Sequence, residues 1–384
     1  MAHRPDLRFT RIELVNWRNF GHCGIDLAPR VFLVGPNASG KSNLLDAFRF
    51  LRQLVVSAGG LQAAVADRGD VSRLRALHAR ENAAIRIIAD IGTAADPRKW
   101  RYELAFNGRK ADPARIVGER VWHHESLILD RPDDGDRKDP RRLTETHLEQ
   151  ISANQPFREL VDFLAGIEYL HVVPQLIRDP ERLSSRRSAF FGIDLIQRIA
   201  ETPRKSRDAR LRRIVGALQV AVPQIETIEP QQDTRGIWHI RAKYRHWRPQ
   251  GAWQTEESFS DGTLRLLGLL WSLQDQGGPL LLEEPELSLH PEVVRQLPRL
   301  FAQVQRARGR QIILTTHSLS LLSDDGIGLE EVFLLRPRQE GTEVTPAKDM
   351  QVVKALLEGG VSLGEAVLPQ IAPARPEQLT LFAP

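Results

Sequence analysis

The sequence predicts an α/β protein with a mostly parallel core sheet, a β-rich N-terminal lobe and an inserted, partly helical lobe. Three stretches carry that prediction. Val31-Phe32-Leu33-Val34 runs into Gly35-Pro36-Asn37-Ala38-Ser39-Gly40-Lys41-Ser42 and then into a helical pattern. Leu280-Leu281-Leu282 ends in Glu283-Glu284-Pro285-Glu286, and Ile312-Ile313-Leu314 ends in Thr315-Thr316-His317-Ser318. Short continuous apolar runs bounded by polar residues mark strands buried on both faces, as in a parallel sheet. All three put their polar residues at the carboxyl end, where open α/β sheets bind ligands.

The remaining elements follow in order. Residues Phe9 to Val15 alternate, as a half-buried strand does. From Ser42 to Leu54, the apolar residues Leu44, Leu45, Phe48, Leu51, Leu54 and Val55 share one helical face. The middle mixes helical stretches with charged loops. Asp130 to Arg142, rich in charge and turn formers, is expected to be a solvated loop. Pro291 to Arg306 reads as a helix that Pro298 kinks. Asp324-Asp325 reads as a turn. These patterns divide the chain into a patterned N-terminal part at 1–110, an inserted lobe at 111–250, a patterned C-terminal part at 251–340 that completes the same sheet, and an extension at 341–384.

Composition limits the classes. With 41% hydrophobic and 27% charged residues, and no apolar run near 18 residues, a membrane-spanning protein is not expected. No secretory leader is visible, and the one cysteine, Cys23, permits no internal disulfide, so a cytoplasmic location is expected. Cys23 reads as a small buried hydrophobe. A net charge of +4 permits a nucleic-acid partner without demanding one.

The pattern G-x-x-x-x-G-K-S between a strand and a helix is a phosphate cradle. Gly40 lets backbone approach phosphate oxygens, and successive amides with the helix N-terminus bind the anion. Lys41 is placed to reach β- and γ-phosphates, with Asn37, Ser39 and Gly40 around it; the Ser42 hydroxyl suits Mg²⁺. At the second strand end, Glu283 suits Mg²⁺ and Glu284 suits the water that attacks a γ-phosphate. Glu286 reads equally as a site acid or a solvated loop acid. Ser260, in Ser258-Phe259-Ser260-Asp261-Gly262-Thr263, precedes a helix, so Ser260 and Gly262 form either a second anion corner or a plain N-cap. His317 is either a γ-phosphate contact or a structural histidine.

With all four pieces in order, the chain resembles the ABC-type ATPases of the SMC/RecF/OLD group. IELVNWRNF and GPNASGKSNLLDAFRFL are similar to that group's first strand, Walker A loop and helix, and SFSDGTLR to its signature motif. LLLEEPELSLHP is similar to its Walker B and D-loop, and TTHS to its switch-histidine motif. The resemblance covers residues 1–55 and 253–335. It implies a P-loop ABC-type head that binds and hydrolyses ATP with Mg²⁺. It also implies a head-to-tail dimer in which Ser260 and Gly262 of one copy face the γ-phosphate on Lys41 of the other. Glu284 would be the catalytic base and His317 the γ-phosphate sensor.

Three positions depart from the group's pattern. Ala38 stands in place of a glycine, which a negative φ would accommodate. Glu283 stands in place of an aspartate. The glutamine of the Q-loop has no clear position, Gln175 being one candidate and a surface residue the plainer reading. The 219 residues from Lys41 to Ser260 fit a compact RecF- or OLD-type insertion rather than a long coiled coil. Only about 50 residues follow Leu335, too few for the Toprim nuclease of OLD relatives, so a separate effector protein is expected.

Residues 181–215 hold ten Lys or Arg (182, 186, 187, 198, 204, 205, 207, 210, 212 and 213) against four acids, and Trp238 to Arg248 interleaves aromatic and basic residues. Such a face suits a DNA backbone; the plainer reading is a solvated helix beside a half-buried strand. On the first of these readings, Arg207, Arg210 and Arg213 contact duplex DNA. The apolar end Leu379-Thr380-Leu381-Phe382 reads as a frayed terminus or a docking segment.

Overall fold

The 384-residue chain is seen in a computed structural model that describes residues 7–80, 83–109, 112–178, 194–246, 252–275 and 277–372. Its strands are β1 (Arg8–Trp17), β2 (Phe20–Asp26), β3 (Arg30–Val34), β4 (Ile85–Gly92), β5 (Trp100–Asn107), β6 (Arg115–His123), β7 (Ser126–Arg131), β8 (Glu168–Leu170), β9 (Ile225–Gln232), β10 (Trp238–Tyr244), β11 (Ala252–Thr255), β12 (Leu280–Glu283), β13 (Ile312–Thr316), β14 (Val332–Arg338) and β15 (Gly341–Pro346). They form three sheets. An antiparallel sheet has the order β2-β1-β4-β5-β6-β7, the core sheet runs β15-β14-β3-β13-β12-β8, and a smaller antiparallel sheet runs β11-β10-β9. In the core sheet every pair from β14 to β8 is parallel and only β15 is antiparallel.

The apolar runs become strands with both faces covered, as expected. Val31 and Leu33 of β3 pack into one core with the helix Lys41–Val56 and the N-terminal sheet. Phe32 and Val34 face a second core with the helices Asp261–Leu273 and Leu297–Arg308. Alternation of side chains along a strand makes this two-sided burial possible. Cys23 is 5% exposed, and burial pushes its thiol up to about 12, as expected of a small buried hydrophobe. Among the described residues no helix is long and apolar enough to cross a membrane.

Several expectations are changed. The expected boundary at residue 110 falls inside the N-terminal sheet, between β5 and β6. The buried residues of β6, Ile116, Gly118, Glu119 and Val121, do not alternate strictly and include a charge, which hides its membership. Pro298 does not kink one helix. The chain forms Pro291–Val294, breaks, and restarts at Leu297 with Pro298 in the first turn, where its missing N–H costs nothing.

The stretch Asp130–Arg142 is not merely a solvated loop. The side chains of Arg131, Glu119 and Asp136 are 0% exposed. All five guanidinium N–H groups of Arg131 find acceptors: both Asp136 carboxylate oxygens at 2.9 Å, Glu119 Oε2 at 2.8 Å, and the carbonyls of Glu145 and Arg142 at 2.9 Å each. Glu119 also accepts from the Tyr102 hydroxyl at 3.2 Å and from the His147 amide. Asp133 and Asp136 form a capping box on the helix Asp134–Lys138. Within a largely exposed, charge-rich stretch, Arg131 and Asp136 are therefore buried because the charges around them satisfy one another.

Candidate functional site

The carboxyl ends of β3, β12 and β13 lie side by side, since Glu283 pairs with Thr315 and Thr316 with Val34. The turn after β3 is shaped by backbone no ordinary residue prefers. Gly40 has φ +93, and a Cβ there would collide with the Asn19 amide. Ala38 has φ +62, so the negative φ that would accommodate a side chain there is not what the loop adopts. That left-handed conformation costs an alanine about 1 kcal/mol, which the surrounding contacts must offset. Gly35 is held closely too: a Cβ would lie 2.8 Å from the Leu335 carbonyl oxygen.

The loop is braced from outside by residues the sequence reading missed. The Asn19 amide donates to the Ser39 carbonyl at 3.3 Å and to Thr342 Oγ1 at 2.5 Å. Thr342 Oγ1 donates to the same carbonyl at 2.9 Å, and Asn43 donates to Asn19 Oδ1 at 2.6 Å. Asn19 follows β1 and Thr342 lies on β15, more than 300 residues apart, so no local pattern announces the pair.

The 16-residue helix Lys41–Val56 begins without a side-chain cap and without an acid in its first turn. Its first amides and its dipole therefore favour an anion from outside. Ser39 is fully buried, and among the described residues its hydroxyl has no hydrogen-bond partner. Lys41 is 6% exposed; its Nζ donates to the carbonyls of Gly35 at 2.8 Å and Pro36 at 3.1 Å, and lies 3.8 Å from Glu284 Oε1. Burial holds the Lys41 pKa below the ordinary lysine value, and the three nearby glutamates oppose that shift. An uncapped helix start, a buried free hydroxyl and a nearby ammonium fit the phosphates of a nucleotide. Asn37 is exposed at the rim of the loop.

Opposite stand the acids. Glu283 accepts from Ser42 Oγ on one oxygen and from the Tyr169 hydroxyl on the other. A serine hydroxyl and a carboxylate in contact are oxygen donors of the type Mg²⁺ takes, and they fit that ion. Glu284 has φ +43, its amide donates to Thr315 Oγ1 at 3.1 Å, and its Oε1 lies 3.1 Å from His317 Nδ1. The structure thus brings Lys41, Ser42, Glu283, Glu284 and His317 together. Glu286 is not a solvated loop acid. It is 7% exposed and accepts from Thr316 Oγ1 at 2.5 Å, and among the described residues Oε2 has no hydrogen-bond partner. Burial raises its pKa above the ordinary carboxylate range.

Ser260 and Gly262 stand elsewhere. Ser260 caps the helix Asp261–Leu273 by accepting from the Thr263 amide at 3.1 Å. A Cβ on Gly262 would lie 2.6 Å from the Ser288 carbonyl oxygen, so glycine permits a close approach of the segment after Glu286. Among the described residues no hydrogen bond or ion pair joins Ser260 or Gly262 to Lys41 or Ser42. Gln175 meets Asp261 at 3.3 Å, beside Ser260 rather than at the phosphate loop.

The basic segment is only partly available. Arg182, Arg186 and Arg187 lie outside the described residues, as do Trp247, Arg248 and the end 379–382. Arg198 and Arg210 both reach Asp275, and Arg207 reaches Asp208 and the Ala200 carbonyl. Arg204 lies 3.7 Å from Asp208. On β10 the pairs are His239–Glu256, Arg241–Glu229 and Lys243–Glu226.

The chain's residues 30–323 match the family model described as "AAA domain, putative AbiEii toxin, Type IV TA system". The chain belongs to this family. No curated protein matches it. Among solved structures it is similar to an Smc head bound to the C-terminal winged-helix domain of ScpA, at 16% identity and TM-score 0.53. That likeness covers 89% of this chain and 99% of the other. It is also similar to an Smc head with an extended coiled coil bound to the C-terminal domain of ScpA derived from Pyrococcus furiosus. There the identity is 13% and the TM-score 0.53, over 92% of this chain and 99% of the other. At such identities the likeness is one of fold: a P-loop head of the SMC-like, ABC type. Family and fold together assign this chain to the SMC/AAA-type ATPase class.

Proposed function

We propose that the protein binds and hydrolyses ATP, with Mg²⁺, as a head-to-tail dimer that couples the nucleotide to DNA sensing in repair or anti-phage defence in the cytoplasm. The observation that carries this reading is the convergence of Lys41, Ser42, Glu283, Glu284 and His317 at one edge of the core sheet. Lys41 holds the β- and γ-phosphates, with Asn37, Ser39 and Gly40 lining the loop. Ser42 and Glu283 hold Mg²⁺, which neutralises phosphate charge when bound. Glu284 accepts the proton of the attacking water, and His317, 3.1 Å from it, contacts the γ-phosphate. Among the described residues Ser260 and Gly262 make no hydrogen bond or ion pair to this site, which supports their serving the site of a second copy.

Lys41→Ala tests the reading: ATP binding by a fluorescent analogue should vanish while thermal unfolding stays unchanged. Unchanged binding would overturn it.

DNA contact is assigned to Lys205, Arg212 and Arg213, which are exposed and without ion pairs among the described residues, rather than to Arg207 and Arg210. Replacing all three with alanine should reduce DNA affinity and lower the slope of log K against log salt by about 3. A second reading is a slow ATP-gated clamp that regulates a separate effector such as a toxin or nuclease. The toxin–antitoxin description of the family favours it. A clamp keeps its biological function in Glu284→Gln, whereas a turnover machine loses it.

A further inference from the structure

The Walker B position carries a glutamate, and its carboxylate is bracketed. Ser42 Oγ donates to Oε1 and the Tyr169 hydroxyl to Oε2. Ser42 lies in the phosphate-loop motif, whereas Tyr169 belongs to no motif. It sits on β8, the edge strand beside β12, in register with Leu281. Glu283 is two residues beyond Leu281 and so on the same face of the sheet, which brings a long aromatic side chain within diagonal reach. The ring is itself held. The Arg49 guanidinium lies 4.2 Å above it, and Arg49 projects from the same helix that starts at Lys41 and carries Ser42. His171, the next residue of that alternation, places Nδ1 3.5 Å from the Glu283 carbonyl oxygen.

A glutamate has one more rotatable bond than an aspartate. Free rotation would spread its oxygens over several positions, and fixing them costs side-chain entropy on metal binding. A partner outside the coordination sphere that occupies one oxygen removes this freedom before the ion arrives.

We propose that Tyr169 is a positioning residue for Glu283: its phenol pins Oε2, so that Oε1 is presented with Ser42 Oγ to the divalent cation of the nucleotide. Tyr169 thereby compensates for the extra methylene of Glu283, and Arg49 keeps the ring in place. The inference rests on the ATP-binding reading above.

The test is an equilibrium titration of a fluorescent ATP analogue against Mg²⁺ on the full chain. Tyr169→Phe should raise the half-saturating Mg²⁺ concentration about 10-fold. Binding of the analogue in EDTA should be unchanged, as should thermal unfolding. In a Glu283→Asp background the shorter arm falls out of reach of the phenol, so adding Tyr169→Phe should shift Mg²⁺ dependence no further. An identical Mg²⁺ dependence of Tyr169→Phe and wild type overturns the inference. So does an equal effect of Tyr169→Phe in both backgrounds, which is also the deciding result if the variant melts below wild type. Wild-type protein that binds no analogue at any Mg²⁺ concentration overturns the ATP reading itself, a distinguishable failure.

Discussion

Two groups of buried or half-buried carboxylates, one around Arg131 and one at the carboxyl end of β12, are built on opposite rules. Around Arg131, two acids meet one guanidinium whose five donors are all used, and every member is sealed from solvent. At the carboxyl end of β12, three glutamates face Lys41 and His317; they are held mainly by hydroxyls, and among the described residues Glu286 keeps a buried oxygen without a hydrogen bond. Glu284 sits there at φ +43. The first group is saturated and fixed. The second is short of positive charge and donors, and an incoming metal and a water can supply them. Saturation, rather than burial of charge as such, separates a structural cluster from a candidate working one.

Breaking the saturated cluster should have the largest effect. Arg131→Ala leaves Glu119 and Asp136 buried and unpaired and should cost about 3–5 kcal/mol of stability, read as a lower denaturant midpoint. If that variant unfolds like wild type, the contrast fails. In the other cluster the effect should fall on chemistry. Glu284→Gln should slow ATP hydrolysis about 100-fold or more while leaving the unfolding midpoint near wild type. A stability loss comparable to that of Arg131→Ala would make the two clusters alike.

The smallest effect concerns pH. Glu286 has a folded pKa raised by burial, so the folded state keeps its proton at a pH where the unfolded chain has lost it. Its destabilising contribution therefore grows as pH rises from the unfolded value towards the folded one. Glu286→Gln removes that titration. Its melting temperature relative to wild type should rise with pH above about 4.3 and then level off. A difference independent of pH would show that the Glu286 carboxyl is not desolvated.

Much of this was legible in the sequence. The three apolar runs gave themselves away because strands buried on both faces cannot hide among polar residues. The loop around Lys41 and the acids at 283–284 are compact motifs, and the fold confirms the strand ends on which they were placed. Their roles remain proposals. What stayed hidden depends on partners distant in sequence. Asp130–Arg142 looks solvated until Glu119 is placed beside Arg131. Tyr169 gains meaning only when β8 pairs with β12, 114 residues on. At Ala38 the side chain shows only that a negative φ would suit it, whereas the loop's curvature sets φ at +62. Glu286 stayed open between a site acid and a loop acid because nothing local reveals that Thr316 donates to it.

The position of β3 also bears on the order in which the protein is made. β3 lies between β13 and β14, and the turn after it is tied down by Thr342. The first 40 residues thus emerge from the ribosome long before either flanking strand exists. At roughly 5–20 residues per second, the phosphate loop waits on the order of tens of seconds for its frame. Nucleotide capture then becomes a property of a chain synthesised at least through β15, and a product that stops short of it would carry the motif without the cradle.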